Sequence, residues 1–193
     1  LILPSALKSQ LPPLPNFIFV PSTDAGSFAE SQALIDAPNS ADFTIILGDL
    51  SKNSITKKAV ASACKSSEKP LLITRDAVDI AASEFTEQIA MNENLILLAS
   101  IPQLQKFLRS IYYPKMLLLS QSLVQVAEVL HKFTLSYPVK IVTLHNEQVL
   151  VAGNGKVVAV PLEKTGYSPL AFWMGELAAK IAALNLYNPG KFV

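Results

Sequence analysis

Three acids stand where two apolar runs give way to polar sequence. Asp49 follows Phe43 to Gly48, and Asp76 and Asp79 follow Leu71 to Thr74. A carboxylate at position 49 can take a sugar hydroxyl or a water-bridged Mg²⁺, or it can hydrogen-bond the amides of its own turn. Asp76 and Asp79 share a face at helical spacing, where they can hold hydroxyls or a hydrated metal. The N-terminus of a helix would stabilise the same pair without any ligand. Asn53 and Ser54 have the same two readings, with capping the natural role of Ser54. Ser100 and Gln103 can hydrogen-bond a substrate amide or hydroxyl, or serve as polar residues at a helix start.

Other candidates lie further on. His145, near a strand end, can reach a nucleotide, whereas His131, late in an amphipathic stretch, reads as a partner for a helix C-terminal dipole. Thr165, Gly166 and Ser168 precede a long apolar stretch and can offer N–H groups to an anion at a helix start. Trp173 can stack on an adenine or fill a core or subunit contact. Cys64, the single cysteine, has no partner for an internal disulfide and reads as a buried structural thiol. Two histidines far apart do not make a histidine-rich metal cluster, and no metal ligands are assigned.

The elements that must position these residues follow from periodicity. The continuous apolar run Phe43–Leu47 reads as a strand covered on both faces, and Leu71–Thr74 and Leu95–Ala99 read as two further apolar strands. Between them, Ile55, Ala59 and Ala63 recur at helical spacing, as do Leu104, Phe107, Leu108 and Ile111. Leu123, Val126, Ala127, Leu130 and Phe133 mark the clearest amphipathic helix. Val139–Leu144 reads as a strand, and Gly153-Asn154-Gly155 closes a β-hairpin. Met116–Leu119 is a strand or a helix entry. Leu170–Leu186 should be one long buried helix, closed by Pro189 and Gly190. Near the N-terminus, Phe17–Val20 is a strand, Asp24 or Ser27 a helix cap, Phe28–Ile35 a helix and 37–41 a loop. The sum is a three-layer α/β/α domain with a mainly parallel sheet and an antiparallel margin. It forms a single domain over residues 1–193.

Half of the residues are apolar, 16% are charged, and the net charge is +1. That balance offers no basic stripe for nucleic acid and no apolar run long enough to span a membrane. The opening segment has no charged-then-apolar signal design, and the default location is the cytoplasm.

The order of these elements resembles the ribokinase-like superfamily. More narrowly, it resembles the ADP/ATP-dependent NAD(P)H-hydrate dehydratases, which repair hydrated nicotinamide cofactors. The family's GPGLG-type turn corresponds to GDLSKNS, where Gly48 is kept and Asp49, Leu50 and Ser51 replace Pro, Gly and Leu. Its DADAL motif corresponds to TRDAVDI, which keeps Asp76 and Ala77 but has Thr74 for the first Asp and Asp79 for an Asn. TPHPGEF becomes LASIPQL, with Ser100 and Gln103 replacing His and Glu, and LKGAGT becomes TLHNEQ around His145. TGGSGD, whose amides hold a phosphate and whose Asp is the general base, becomes TGYSPL. Thr165, Gly166 and Ser168 remain there, Pro169 removes a donor, and Leu170 replaces the base.

The resemblance covers roughly residues 42 to 186, and residues 1–41 match poorly. It implies an ADP or ATP site, with Mg²⁺ as a companion ion, and repair of hydrated NAD(P)H or a related small-molecule kinase reaction. Asp76 or Asp79 would then stand in for the missing base. The alternative is a catalytically inactive nucleotide-binding or oligomerising homologue. The apolar terminal helix suits a homo-oligomer.

Overall fold

A computed structural model describes residues 1–29, 31–48, 50 and 53–188. At its centre is a six-stranded sheet in sequential order. Four parallel strands come first: β3 (Thr44–Ile46), β4 (Leu71–Thr74), β5 (Leu95–Leu98) and β6 (Lys140–His145). Two antiparallel strands complete it, β7 (Gln148–Gly153) and β8 (Lys156–Pro161). Every residue of β4 and β5 is buried, and their sequences are continuous apolar runs rather than alternations. By contrast β3, the run expected to be covered on both faces, is half-buried throughout because it stands at the edge of the sheet. Both hairpin loops have two residues at positive φ: Asn146 and Glu147, then Asn154 and Gly155. The second pair is the Asn-Gly that such a turn favours.

Alternation along the strands sorts the core into two layers. Leu71, Ile73, Leu95, Leu97 and Ile141 point to one face. There they meet α2 (Ser54–Ser66), α3 (Asp76–Ala81), α4 (Thr86–Ala90), α5 (Ile101–Ser110) and α6 (Leu123–Ser136). Leu72, Ile96, Leu98 and Val142 point to the other face. It is covered by α7 (Leu162–Thr165), α8 (Pro169–Trp173) and α9 (Glu176–Tyr187) through Leu162, Phe172, Leu177 and Ala178. The molecule is therefore the three-layer α/β/α domain that the strand and helix pattern implies. Each fully buried large side chain, such as Phe107, Phe133 or Phe172, contributes roughly 1.5–3 kcal/mol.

Four local expectations are corrected. Residues 170–186 do not form one helix. Gly175, at φ 95°, separates α8 from α9, a backbone conformation that glycine adopts without steric cost. The break turns Phe172 and Trp173 onto the sheet. Uniformly apolar sequence carries no periodicity to reveal such a break. Met116–Leu119 is coil, with the buried Leu117 held by a bond from its N–H to Gln105 Oε1.

The helix expected at Phe28–Ile35 lies later, as α1 (Gln32–Ser40), and takes in all but the last residue of the 37–41 stretch expected as a loop, with Pro38 inside it and Ser31, not Asp24 or Ser27, at its N-cap. Phe28 instead bridges Ser22, and its carbonyl accepts from Thr56 Oγ1 at 2.8 Å. Before α1, β1 (Ile2–Pro4) and β2 (Ile18–Val20) form a separate two-stranded parallel sheet. The cap of α2 is Asn53, whose Oδ1 accepts from Ile55 N–H at 2.8 Å, rather than Ser54. Pro189 and Gly190 lie outside the described residues.

Candidate functional site

The carboxyl ends of β4 and β5 open into a cleft of about 330 Å³ lined by Arg75, Asp76, Ser100, Gln103 and Trp173. Crevices at the carboxyl ends of parallel strands are where α/β folds bind ligands. Three elements meet here: the first turn of α3, the start of α5, and α8 arriving from the opposite layer.

Gln103 organises the corner. Its Oε1 accepts from Ser100 N–H and Ser100 Oγ, both at 3.1 Å, and its own N–H donates to Ser100 Oγ at 3.4 Å. This capping box starts α5. Its Nε2 donates to the Arg75 carbonyl at 2.9 Å and to Asp79 Oδ2 at 3.0 Å. The amide's two donors and its oxygen are all used, so Gln103 ties the end of β4 to α3 and α5.

Asp79 completes the clamp. Its Oδ1 accepts from Lys106 Nζ at 2.8 Å. Partial burial pushes its carboxyl up, but the bonds from Lys106 and Gln103 and the ammonium charge outweigh that and hold it below the ordinary carboxylate range. A base tuned for neutral pH has the opposite shift. Asp76 reaches the other way: Leu50 N–H donates to its Oδ2 at 3.0 Å, which pins the segment after β3. Asp76 and Asp79 thus lie in one turn, as their spacing predicts, and each holds a neighbouring element.

Between them and the sheet, Arg75 adopts φ 55°, ψ −128°, a region costly for any residue with a Cβ. Thr74, just before it, is fully buried, and its Oγ1 has no partner among the described residues. Trp173 forms the opposite wall, edge-to-face with Phe172 at 4.5 Å between centroids.

The remaining candidates do not gather here. His145 is buried, and its Nε2 donates to the Gln121 carbonyl at 2.8 Å, securing the coil before α6. Thr165, Gly166 and Ser168 form the turn between α7 and α8. Gly166 N–H donates to the Glu163 carbonyl at 3.4 Å, and Tyr167 N–H to Thr165 Oγ1 at 3.3 Å. Two amides expected to face an anion are therefore spent inside the turn. Leu170 is 70% exposed on the five-residue α8. Gly48, at φ 100°, has open space where a Cβ would stand, Asn53 caps α2, and Asp49 lies outside the described residues. Cys64 is fully buried, and desolvation pushes its thiol up to about 12, so it is inert at neutral pH. His131, expected at a helix C-terminus, bonds through Nδ1 to the Gly155 carbonyl in the β7–β8 loop.

Sequence reasoning passed over Arg75 and Lys106. The signals were there: a basic residue between strand end and acid, and a lysine three positions beyond Gln103 on one helix face. Among the described residues, no group of three His, Cys, Asp or Glu side chains is placed to hold a metal ion. No described helix is long and apolar enough to cross a membrane.

No family model matches the chain, and no curated protein does. Among solved structures it is similar to the hypothetic protein SMU.573 from Streptococcus mutans, with a TM-score of 0.57 and 14% sequence identity. The alignment covers 93% of this chain and 58% of that one. The likeness is one of fold. It extends over nearly the whole chain, whereas the chain spans little more than half of its neighbour's length.

Proposed function

We propose that this chain is a binding domain of ribokinase-like descent that takes a nucleotide or similar planar ligand in the cleft beside Trp173 and performs no chemistry on it. The observation that carries this reading is the engagement of both acids in the scaffold. Asp79 is clamped by Lys106 and Gln103, and Asp76 is bonded to the backbone of Leu50. The indole supplies a flat apolar wall, Arg75 brings a cation to the rim, and about 330 Å³ suits a small ligand. The lone buried thiol fits a reducing compartment, and we place the protein in the cytoplasm.

Calorimetry with ADP, ATP and NADPH, with and without Mg²⁺, tests the binding. Incubation with hydrated NADPH plus ADP or ATP, followed by dihydronicotinamide absorbance, tests the chemistry. The proposal expects heat of binding for at least one nucleotide and no return of absorbance above a protein-free control. Turnover contradicts it in favour of a divergent NAD(P)H-hydrate dehydratase or small-molecule kinase. Silence from all three ligands removes the nucleotide reading altogether. The enzymatic alternative draws on one feature, the strained Arg75 backbone beside a buried Thr74 hydroxyl that has no partner among the described residues, since such strain concentrates at active sites.

A further inference from the structure

The far margin of the sheet ends in a strand built for self-pairing. Among the described residues, β8 pairs with β7 on one side and with no strand on the other. The two-residue loop closes on the Gly153–Lys156 pair, and bonded and non-bonded pairs alternate along an antiparallel ladder. Lys156, Val158 and Val160 therefore turn their backbone groups toward β7. Val157 and Ala159 turn theirs to the open edge.

That edge is held in place. Gly155 N–H donates to Thr134 Oγ1 at 3.2 Å, and the Gly155 carbonyl accepts from His131, so α6 pins the loop from which β8 departs. Natural sheets protect such edges with charges, prolines or bulges. Here Lys156 and Pro161 mark the two ends, and the residues between are Val-Val-Ala-Val, with Val158 still 45% exposed.

We infer that the open edge of β8 pairs antiparallel with β8 of a second copy about a two-fold axis at Ala159. In that register the N–H of each Ala159 donates to the Ala159 carbonyl of the other copy, and the N–H of each Val157 donates to a Pro161 carbonyl. Pro161, which has no N–H, is asked only for its carbonyl. The half-exposed Val158 meets Val160 of the second copy on the same face, as favourable β-branched cross-strand pairs do. The charges complement each other as well: in this register Lys156 stands opposite Leu162 of the second copy, one residue from the exposed Glu163 in the first turn of α7. The two sheets become one continuous sheet. A single strand pair buries well under the ~1,600 Å² of a standard interface, so the dimer is weak, with a dissociation constant of roughly micromolar order.

Sedimentation velocity over about 1–200 µM brackets such a constant. The expected result is a concentration-dependent monomer–dimer equilibrium. Ala159→Pro removes an outward N–H and leaves the β7 ladder bonds in place, and it should weaken the dimer at least about tenfold. Val158→Lys, an exposed side-chain change that spares the backbone, should do the same if the proline variant loses helical circular dichroism. Lys156→Glu should weaken association, and adding Glu163→Lys should restore it. A monomer at every concentration overturns the inference, as does association that Val158→Lys and the charge reversal leave unchanged.

Discussion

Two turns carried the sequence's promise of a ligand site, and they differ in how their polar groups are spent. The corner after β4 directs its bonds outward to other elements: Gln103 to Arg75 and Asp79, Asp79 to Lys106, Asp76 to Leu50. It leaves a cleft between them. The turn between α7 and α8 spends two of its amides on itself, Gly166 to Glu163 and Tyr167 to Thr165. Polar residues at a strand end or helix start are thus not equivalent. Those that bridge elements build a wall around a space, whereas those that close a local turn have fewer donors to offer a ligand.

The sharpest way to break this comparison is to remove the anchor that carries α8 to the cleft. Phe172→Ala should cost about 3–5 kcal/mol of stability by urea denaturation, because Phe172 is fully buried against the sheet. A cost below about 1 kcal/mol would mean that α8 does not form the cleft wall. Next, Gln103→Ala deletes the capping box and both clamp bonds together. It should cost about 2 kcal/mol, with a similar loss in Gln103→Glu, which cannot donate to Asp79.

Acid titration sharpens the account of Asp79. Its folded carboxyl is held below its unfolded value. Its contribution is therefore complete above the unfolded value of about 3.9 and is lost as pH falls through the lower folded value. The stability advantage of wild type over Asp79→Asn should be constant near neutrality and shrink below about pH 4. An advantage that instead grows on acidification would show the clamp to be misassigned. The smallest effect belongs to the self-contained turn: Thr165→Ala should cost no more than about 1 kcal/mol and leave ligand binding unchanged.

Much of the fold was legible because burial on both faces writes itself as Leu-Leu-Ile-Thr and Leu-Ile-Leu-Leu, and because Asn-Gly names its turn. The break at Gly175 was not, since an apolar, alanine-rich stretch looks the same whether it forms one helix or two. At the site, the spacing of Asp76 and Asp79 gave their shared turn, and Ser100 and Gln103 stood at a helix start as expected. Their partners were not legible. The bonds from Gln103 to Arg75 and from Lys106 to Asp79 join residues 28 and 27 positions apart, and such pairings come only from the register of β4 against β5. Trp173 reached the cleft from the opposite layer, a placement that depends on the missed break.

Trp173 also supplies the most direct test, because it is the chain's one tryptophan and its emission reports on the cleft wall alone. In titrations with ADP and ATP, the account predicts a saturable change in Trp173 fluorescence for at least one nucleotide, abolished by Gln103→Ala in protein that remains folded. A flat response to both nucleotides, or a response that Gln103→Ala leaves intact, would contradict the claim that the corner at the ends of β4 and β5 is the binding site.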